Sequence, residues 1–362
     1  MRIALVDPLA YTPPYDDALA AALAARRHEV TLLTGPFLHG DVPTPHGYSR
    51  EEIFLPLSGR LFRSSPRSPL RLPLKGLEYW PSTVRLRRRI RSFNPDVVHV
   101  QWLPRPENDI RWLRRLEKPV VLTAHDVVPR RPRARDVWPQ VLDAAATVVV
   151  HSEQAVEELA DFGADRARIV RIAHPVFQGG ELSPAEGRTL LFFGLIRDYK
   201  GLGVLVRALA DVPDARLVVA GDPVDSVAPA RDLAVSLGVD GRIEWRLRFV
   251  EDAEIRELMG RASIVVLPYT RLDSSGVLAT AIGYRRPVVV TDVGSLGEIV
   301  REFQAGEVVQ PDDPAGLAQA ITRLLEPDAL TAASSGADAA ARTLTWDAAA
   351  EQHERVYEAV RR

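Results

Sequence analysis

The 362-residue sequence contains no cysteine. Without a thiol there is no disulfide framework, no thiolate nucleophile and no zinc–thiolate site. It also lacks an excess of charge of either sign: 48 acidic and 46 basic residues leave a formal net of −2, so no global field draws the chain to nucleic acid. No apolar run approaches the roughly 20 residues that cross a bilayer. The opening residues, Met1-Arg2-Ile3-Ala4-Leu5-Val6-Asp7, read as a strand rather than a secretory leader, so the expected location is the cytoplasm. No His, Asp and Glu set has metal-ligand spacing, and no metal is expected.

Apolar residues make up 46% and charged residues 26%, the balance of a soluble globular protein, and the length fits two domains. Short Val/Ile/Leu runs alternate with amphipathic stretches: Ile3 to Val6, Val30 to Leu33, Asp96 to Val100, Val120 to Thr123 and Thr147 to Val150 read as strands. Continuous rather than alternating apolar runs predict strands buried on both faces of a parallel sheet, with helices between them. The rhythm breaks from Ala173 to about Gly187, where Gly179, Gly180, Ser183 and Pro184 cluster, and resumes with Leu190 to Phe193, Arg216 to Ala220, Ile243 to Arg246, Ile264 to Leu267 and Val288 to Thr291. The fold class is α/β: two Rossmann-like, doubly wound domains over 1–175 and 188–344, with a final helix at about 345–362 that can pack back on the first.

Two segments carry chemistry. In the first, the strand Leu191-Phe192-Phe193 ends at Gly194, and a short loop brings Arg197 and Lys200 before Gly201 opens a helix. Ligands of open α/β sheets bind at the carboxyl ends of strands, and two cations there suit a diphosphate. In the second, Val265-Val266-Leu267-Pro268-Tyr269 is followed by Asp273-Ser274-Ser275-Gly276-Val277-Leu278. The free amides of a helix start bind phosphate oxygens, and Ser274 or Ser275 equally suits a plain N-cap.

These segments, with Arg286-Pro287-Val288-Val289, Asp292-Val293-Gly294 and Glu298-Ile299, resemble the C-terminal domain of family-4 retaining glycosyltransferases of the GT-B fold. Arg27-His28-Glu29-Val30, Pro95 to His99, Val150 to Glu153 and Ala173 to Phe177 resemble that family's N-terminal half, in the same order. The resemblance implies two Rossmann-like domains facing across a cleft. It also implies metal-independent transfer, with retention, from a nucleotide-diphosphate sugar of unspecified base to an acceptor hydroxyl. On the donor side it assigns Arg197 and Lys200 to the diphosphate, amides around Ser274, Ser275, Gly276, Val277 and Leu278 to phosphate, Val250 to the border of the nucleobase, and Gly194 and Asp222 to the same cleft. His125, at a strand end in Thr123-Ala124-His125-Asp126, is implied to lie near the donor sugar. A structural histidine is the alternative reading.

Two departures from the family pattern stand out. Its paired glutamates, registered on Gly276, fall at Asp273 and Ala281: the first carboxylate survives, shortened by one methylene, and the second is missing. Its Gly-rich first loop is replaced by Tyr11-Thr12-Pro13-Pro14-Tyr15-Asp16-Asp17. Tyr15, Asp16 and Asp17 are acceptor candidates, or the two acids simply complement a helix dipole.

Between 60 and 91 Arg and Lys residues are interleaved with Leu and aromatics. This is a candidate contact with an anionic membrane surface or acceptor at the inner membrane face, or else the wet face of a helix. The expected partners are a nucleotide sugar and a small-molecule, glycan or lipid-linked acceptor, with no nucleic acid. A catalytically silent nucleotide-binding GT-B protein, and a GT-B enzyme of another type such as a sugar-nucleotide epimerase, are the competing readings.

Overall fold

The structure is a computed structural model that describes residues 1–38, 42–65, 68–179, 182, 185 and 187–361. Arg67 of the basic stretch, and Gly180, Ser183 and Pro184 of the expected boundary, lie outside the described residues. The chain forms two compact units, Met1–Ala173 with Trp346–Arg362, and His174–Thr345.

The first unit runs β1 (Arg2–Asp7), α1 (Pro13–Ala25), β2 (Glu29–Thr34), β3 (Ser49–Glu52), α2 (Pro56–Leu61), α3 (Arg71–Phe93), β4 (Val97–Val100), α4 (Pro106–Leu113), β5 (Val120–Thr123), α5 (Pro132–Ala144), β6 (Thr147–Val150), α6 (Glu153–Asp161) and β7 (Ile169–Arg171). Its seven strands are all parallel, in the order β3-β2-β1-β4-β5-β6-β7. β4, β5 and β6 are buried at every residue, as strands covered by helices on both faces must be. The strand order reverses between β1 and β4. The connections leaving these two strands therefore diverge, and a crevice opens above their carboxyl ends. The loop after β1 is shorter than the sequence suggested. Pro13 and Pro14 are the first turn of α1, where a fixed φ and a missing N–H cost nothing, so Asp16 lies in the first turn of the helix.

The second unit runs β8 (Thr189–Phe193), α7 (Leu202–Ala210), β9 (Arg216–Ala220), α8 (Ala228–Ser236), β10 (Ile243–Arg246), α9 (Asp252–Arg261), β11 (Ile264–Leu267), α10 (Gly276–Gly283), β12 (Val288–Thr291), α11 (Ser295–Phe303), β13 (Gly306–Val309), α12 (Pro314–Leu324) and α13 (Pro327–Thr343). Its six strands are also all parallel, in the order β10-β9-β8-β11-β12-β13, and the reversal falls between β8 and β11. Asp313 caps α12, its carboxylate accepting from the Gly316 amide at 2.9 Å, with Pro314 in the first turn.

The last helix, α14 (Trp346–Arg361), belongs to the first unit and packs on α1. Glu354 accepts from Arg26 Nε at 2.9 Å and Nη2 at 2.8 Å and stands 3.1 Å from His28 Nε2, while Tyr357 is buried with Ile3, Leu5 and Leu23.

Candidate functional site

In the second unit the loops leaving β8 and β11 meet at the strand-order reversal. Thr270 N donates to Tyr199 O at 2.8 Å, and the Tyr199 and Tyr269 rings stand edge to face, 6.3 Å apart. Gly194 has φ +98°, and a Cβ there would come 2.9 Å from Val277 Cγ2 and 3.2 Å from Lys200 Nζ. Gly194, Val277 and Lys200 are thus brought together, and only a residue without a side chain fits between the other two.

Lys200 is buried, with its Nζ 5.3 Å from the centroid of the Tyr269 ring. Among the described residues it has no carboxylate partner. Burial first, then the neighbouring Arg197 guanidinium, pushes its ammonium down to about 8. Arg197 is exposed. A buried cation beside a second cation suits an anionic ligand.

Ser275 is the N-cap of α10, its Oγ accepting from the Leu278 amide at 3.2 Å. The Leu278 amide is therefore bonded within the chain. The amides of Gly276 and Val277 occupy the first turn and have no intrahelical acceptor. Ser274 and Asp273 are half-buried just before the cap, and the Asp273 carbonyl accepts from Ser295 N at 2.9 Å, tying this loop to the start of α11.

Asp222 lies two residues beyond the neighbouring strand β9, its carbonyl accepting from Ile196 N at 2.9 Å. Val250 is buried in the apolar core with Phe193, Ala220 and Met259, and the exposed members of that loop are Arg248 and Phe249. Any contact of Val250 with a base therefore runs through its backbone. Ala281 is fully buried in the same core, so a carboxylate registered there would be stranded among apolar side chains. The residue on the outer side of α10 at this point is the half-buried Thr280, whose hydroxyl donates to Gly276 O at 2.8 Å.

In the first unit the loops after β1, β4 and β5 bring Thr12, Trp102 and His125 together, with Tyr15 of α1 beside them. His125 is 9% exposed and stacked on Trp102, centroids 4.9 Å apart and planes at 14°. Tyr15 meets it edge-on at 4.9 Å, and Gln101 Oε1 lies 3.1 Å from its Nε2. Trp102 Nε1 donates to Thr12 Oγ1 at 2.9 Å, joining the loops after β1 and β4. Below this sits a buried set that the sequence did not assign. His99 Nδ1 lies 2.6 Å from Tyr357 Oη, His99 Nε2 lies 2.7 Å from Thr123 Oγ1, and Gln101 Nε2 lies 3.3 Å from the same imidazole. Burial holds His99 well below its usual value and pushes His151 and His353 down to about 4, so these rings are neutral near pH 7.

The three acceptor candidates divide. Tyr15 turns toward His125, whereas Asp16 and Asp17 line a shallow pocket with Arg50, Glu52 and Thr34. The Asp17 carboxylate bonds Arg50 and the Tyr48 hydroxyl. The Asp16 carboxyl is held well above the carboxylate range, first by burial and then by Asp7. Asp7 itself organises the loop, accepting from the amides of Leu9 at 3.2 Å, Tyr11 at 2.5 Å and Thr12 at 3.3 Å. Among the described residues no group of three or more His, Asp or Glu side chains is arranged to hold a metal ion.

Residues 17–176 match the family described as Glycosyltransferase Family 4, and residues 187–327 match Glycosyl transferases group 1. The chain is a glycosyltransferase, with a Glycosyltransferase Family 4 match on its first half and a Glycosyl transferases group 1 match on its second. It is 27% identical to a phosphatidyl-myo-inositol mannosyltransferase of Mycolicibacterium smegmatis, across 99% of this chain and 94% of that protein. It is 30% identical to a D-inositol 3-phosphate glycosyltransferase of the same organism, across 66% of this chain and 62% of that protein. A sucrose-phosphate synthase from Thermosynechococcus elongatus shares the fold at TM-score 0.76 and 20% identity, with 99% of each chain covered. So does Anabaena HepE, solved with UDP and glucose, at TM-score 0.76 and 17% identity over 99% of this chain and all of that one. The glycosyltransferase fold is therefore GT-B, as its two parallel-sheet units lead one to expect.

Proposed function

We propose that this glycosyltransferase moves a sugar, with retention of anomeric configuration, from a nucleoside diphosphate to an acceptor hydroxyl. The observation that carries the reading is Lys200: a buried ammonium with no carboxylate partner among the described residues, beside Arg197, where the strand order reverses. As the bond from the anomeric carbon to the diphosphate breaks, negative charge grows on the terminal phosphate. Lys200, Arg197 and the amides of Gly276 and Val277 meet that charge, lowering the barrier. Asp273 supplies a carboxylate toward the positive charge that develops on the sugar. The acceptor oxygen attacks the face that the diphosphate leaves, and its proton passes to the departing phosphate oxygen. No protein nucleophile is needed.

On the first unit, His125, held in orientation by Trp102, Tyr15 and Gln101, is the polar group offered to the reacting sugar, and the Asp16–Asp17 pocket is offered to acceptor hydroxyls. Relatives named for phosphatidyl-myo-inositol and D-inositol 3-phosphate make a cyclic polyol phosphate, free or lipid-linked, the acceptor class to try first. HepE makes uridine the first donor base. The absence of a second carboxylate on α10 favours a second reading, a nucleotide binder without turnover. Incubation with UDP-, GDP- and ADP-sugars and polyol acceptors separates the two. Acceptor-dependent release of nucleoside diphosphate supports transfer, and tight nucleotide binding with no release from any pair supports the silent binder.

A further inference from the structure

Between Leu55 and Asn94 the sequence holds ten Arg or Lys residues and a single acidic one, Glu78. Glu78 faces inward, its carboxylate accepting from the amides of Leu57 and Ser58 at 2.7 Å each, which pins α2 onto α3. The described residues outside carry cations and large apolar side chains together. Leu57, Leu61, Leu70, Leu72, Leu77, Trp80 and Val84 are 39% to 75% exposed. The other exposed large apolar residues of the described chain are scattered over both units.

On α3, Leu77, Trp80, Val84, Arg88 and Arg91 recur every three or four residues, so they form one outward stripe, apolar in its first half and cationic in its second. Arg87 and Arg91 also line a pocket of about 140 Å³ with Asn94, Arg115, Lys118 and Glu117, the last of which stands 3.5 Å from Arg91. A solvated helix face has no use for an exposed Leu and Trp in the stripe, and burial against the chain's own core has not claimed them.

We propose that the outer face of α2 and α3 is a docking surface for an anionic lipid bilayer. Leu57, Leu61, Leu77 and Trp80 enter the interface between headgroups and acyl chains. Arg60, Arg63, Arg88 and Arg91 engage lipid phosphates, and the pocket at the end of α3 accepts one of them. The occupant is a bilayer because exposed apolar and cationic side chains share this surface, and among the described residues the carboxylates beside its cations are Glu51 at Arg89 and Glu117 at Arg91. That composition suits the acyl boundary and the anionic headgroups at once. An indole at the margin of the stripe also suits the interfacial layer. The surface lies wholly on the first unit and does not depend on the donor assignment.

The test is co-sedimentation of the full chain with vesicles of phosphatidylcholine alone and of phosphatidylcholine mixed equally with phosphatidylglycerol. Binding is expected to the mixed vesicles, to weaken at high salt, and to drop about fivefold for each cation removed in an Arg87→Gln/Arg88→Gln/Arg91→Gln variant. A Leu77→Ser/Trp80→Ser variant is expected to lose at least tenfold, with circular dichroism and nucleotide affinity unchanged. No binding to mixed vesicles, equal binding to both vesicle types, or full binding by either variant overturns the proposal. So does a dimer in sedimentation velocity that Leu77→Ser/Trp80→Ser disperses, because the face then belongs to a second copy of the chain. Transfer activity is not part of the readout, so failure here leaves the donor site standing.

Discussion

Lys200 Nζ stands 5.3 Å from the centroid of the Tyr269 ring, the two side chains leaving the ends of the paired strands β8 and β11. The ring's negative face eases the burial of the ammonium but supplies less than a carboxylate would. Burial and Arg197 lower Lys200 to about 8, against 10.5 ordinarily. Its charge therefore opposes folding. From about pH 8 to 10.5 the unfolded chain holds more protons, so stability rises with pH across that window. Lys200→Met is expected to abolish that rise and to gain up to roughly 3 kcal/mol at pH 7. The same variant is expected to weaken nucleoside diphosphate binding by roughly a hundredfold. Thermal denaturation across pH and calorimetric titration read both effects. In the native protein, binding above pH 8 should take up a proton, seen as a dependence of the binding enthalpy on buffer.

Gly194→Ala tests whether the loop is shaped around the anion. The added Cβ meets Val277 Cγ2 at 2.9 Å and Lys200 Nζ at 3.2 Å, at a φ of +98° that side chains avoid. A stability loss of about 1–3 kcal/mol is expected, with donor KM raised at least tenfold. Unaltered KM in a folded variant would show that the Gly194–Lys200 approach has no part in donor binding.

His125→Ala is expected to lower turnover by roughly two orders of magnitude while leaving nucleoside diphosphate affinity, which belongs to the second unit, intact. Gln101→Leu, which removes the partner 3.1 Å from His125 Nε2, should give a smaller loss in kcat with the same affinity. Normal kinetics for His125→Ala would make the ring a packing residue of the Trp102–Tyr15 cluster.

Asp16 carries the opposite electrostatic signature to a surface acid. Burial and Asp7 raise its carboxyl, so the folded state holds a proton that the unfolded chain releases near the ordinary value of 3.8, and stability falls as pH rises above that value. Asp16→Asn is expected to be more stable than the native chain at pH 7 and to flatten this fall, as denaturation midpoints at pH 5 and pH 7 will show.

How much of this could be read from the sequence follows from where the information lies. β5, β6, β11 and β12 are nearly unbroken Val, Ile and Leu runs and were legible because burial on both faces writes itself into composition. β3, Ser-Arg-Glu-Glu, was not, because it is an edge strand with one neighbour and no apolar side chain. Lys200 and Gly194 announced themselves by spacing at a strand end. The set beneath His125 did not, because His99 and Tyr357 are 258 residues apart and meet only when α14 packs on α1. Pro13 and Pro14 were legible as rigid, but whether rigidity makes a loop or a helix start depends on the residues that follow. Spacing along the chain alone does not say which way Ala281 faces. The helix turns it inward, and Thr280 takes the outer side.

The most direct test of the central claim is the anomeric configuration, by NMR, of product formed from a panel of nucleotide sugars with a polyol acceptor. The account predicts a product with the donor's own configuration, released together with nucleoside diphosphate, and made at least a hundredfold more slowly by Lys200→Met. A product of inverted configuration, or full turnover by Lys200→Met, would contradict it.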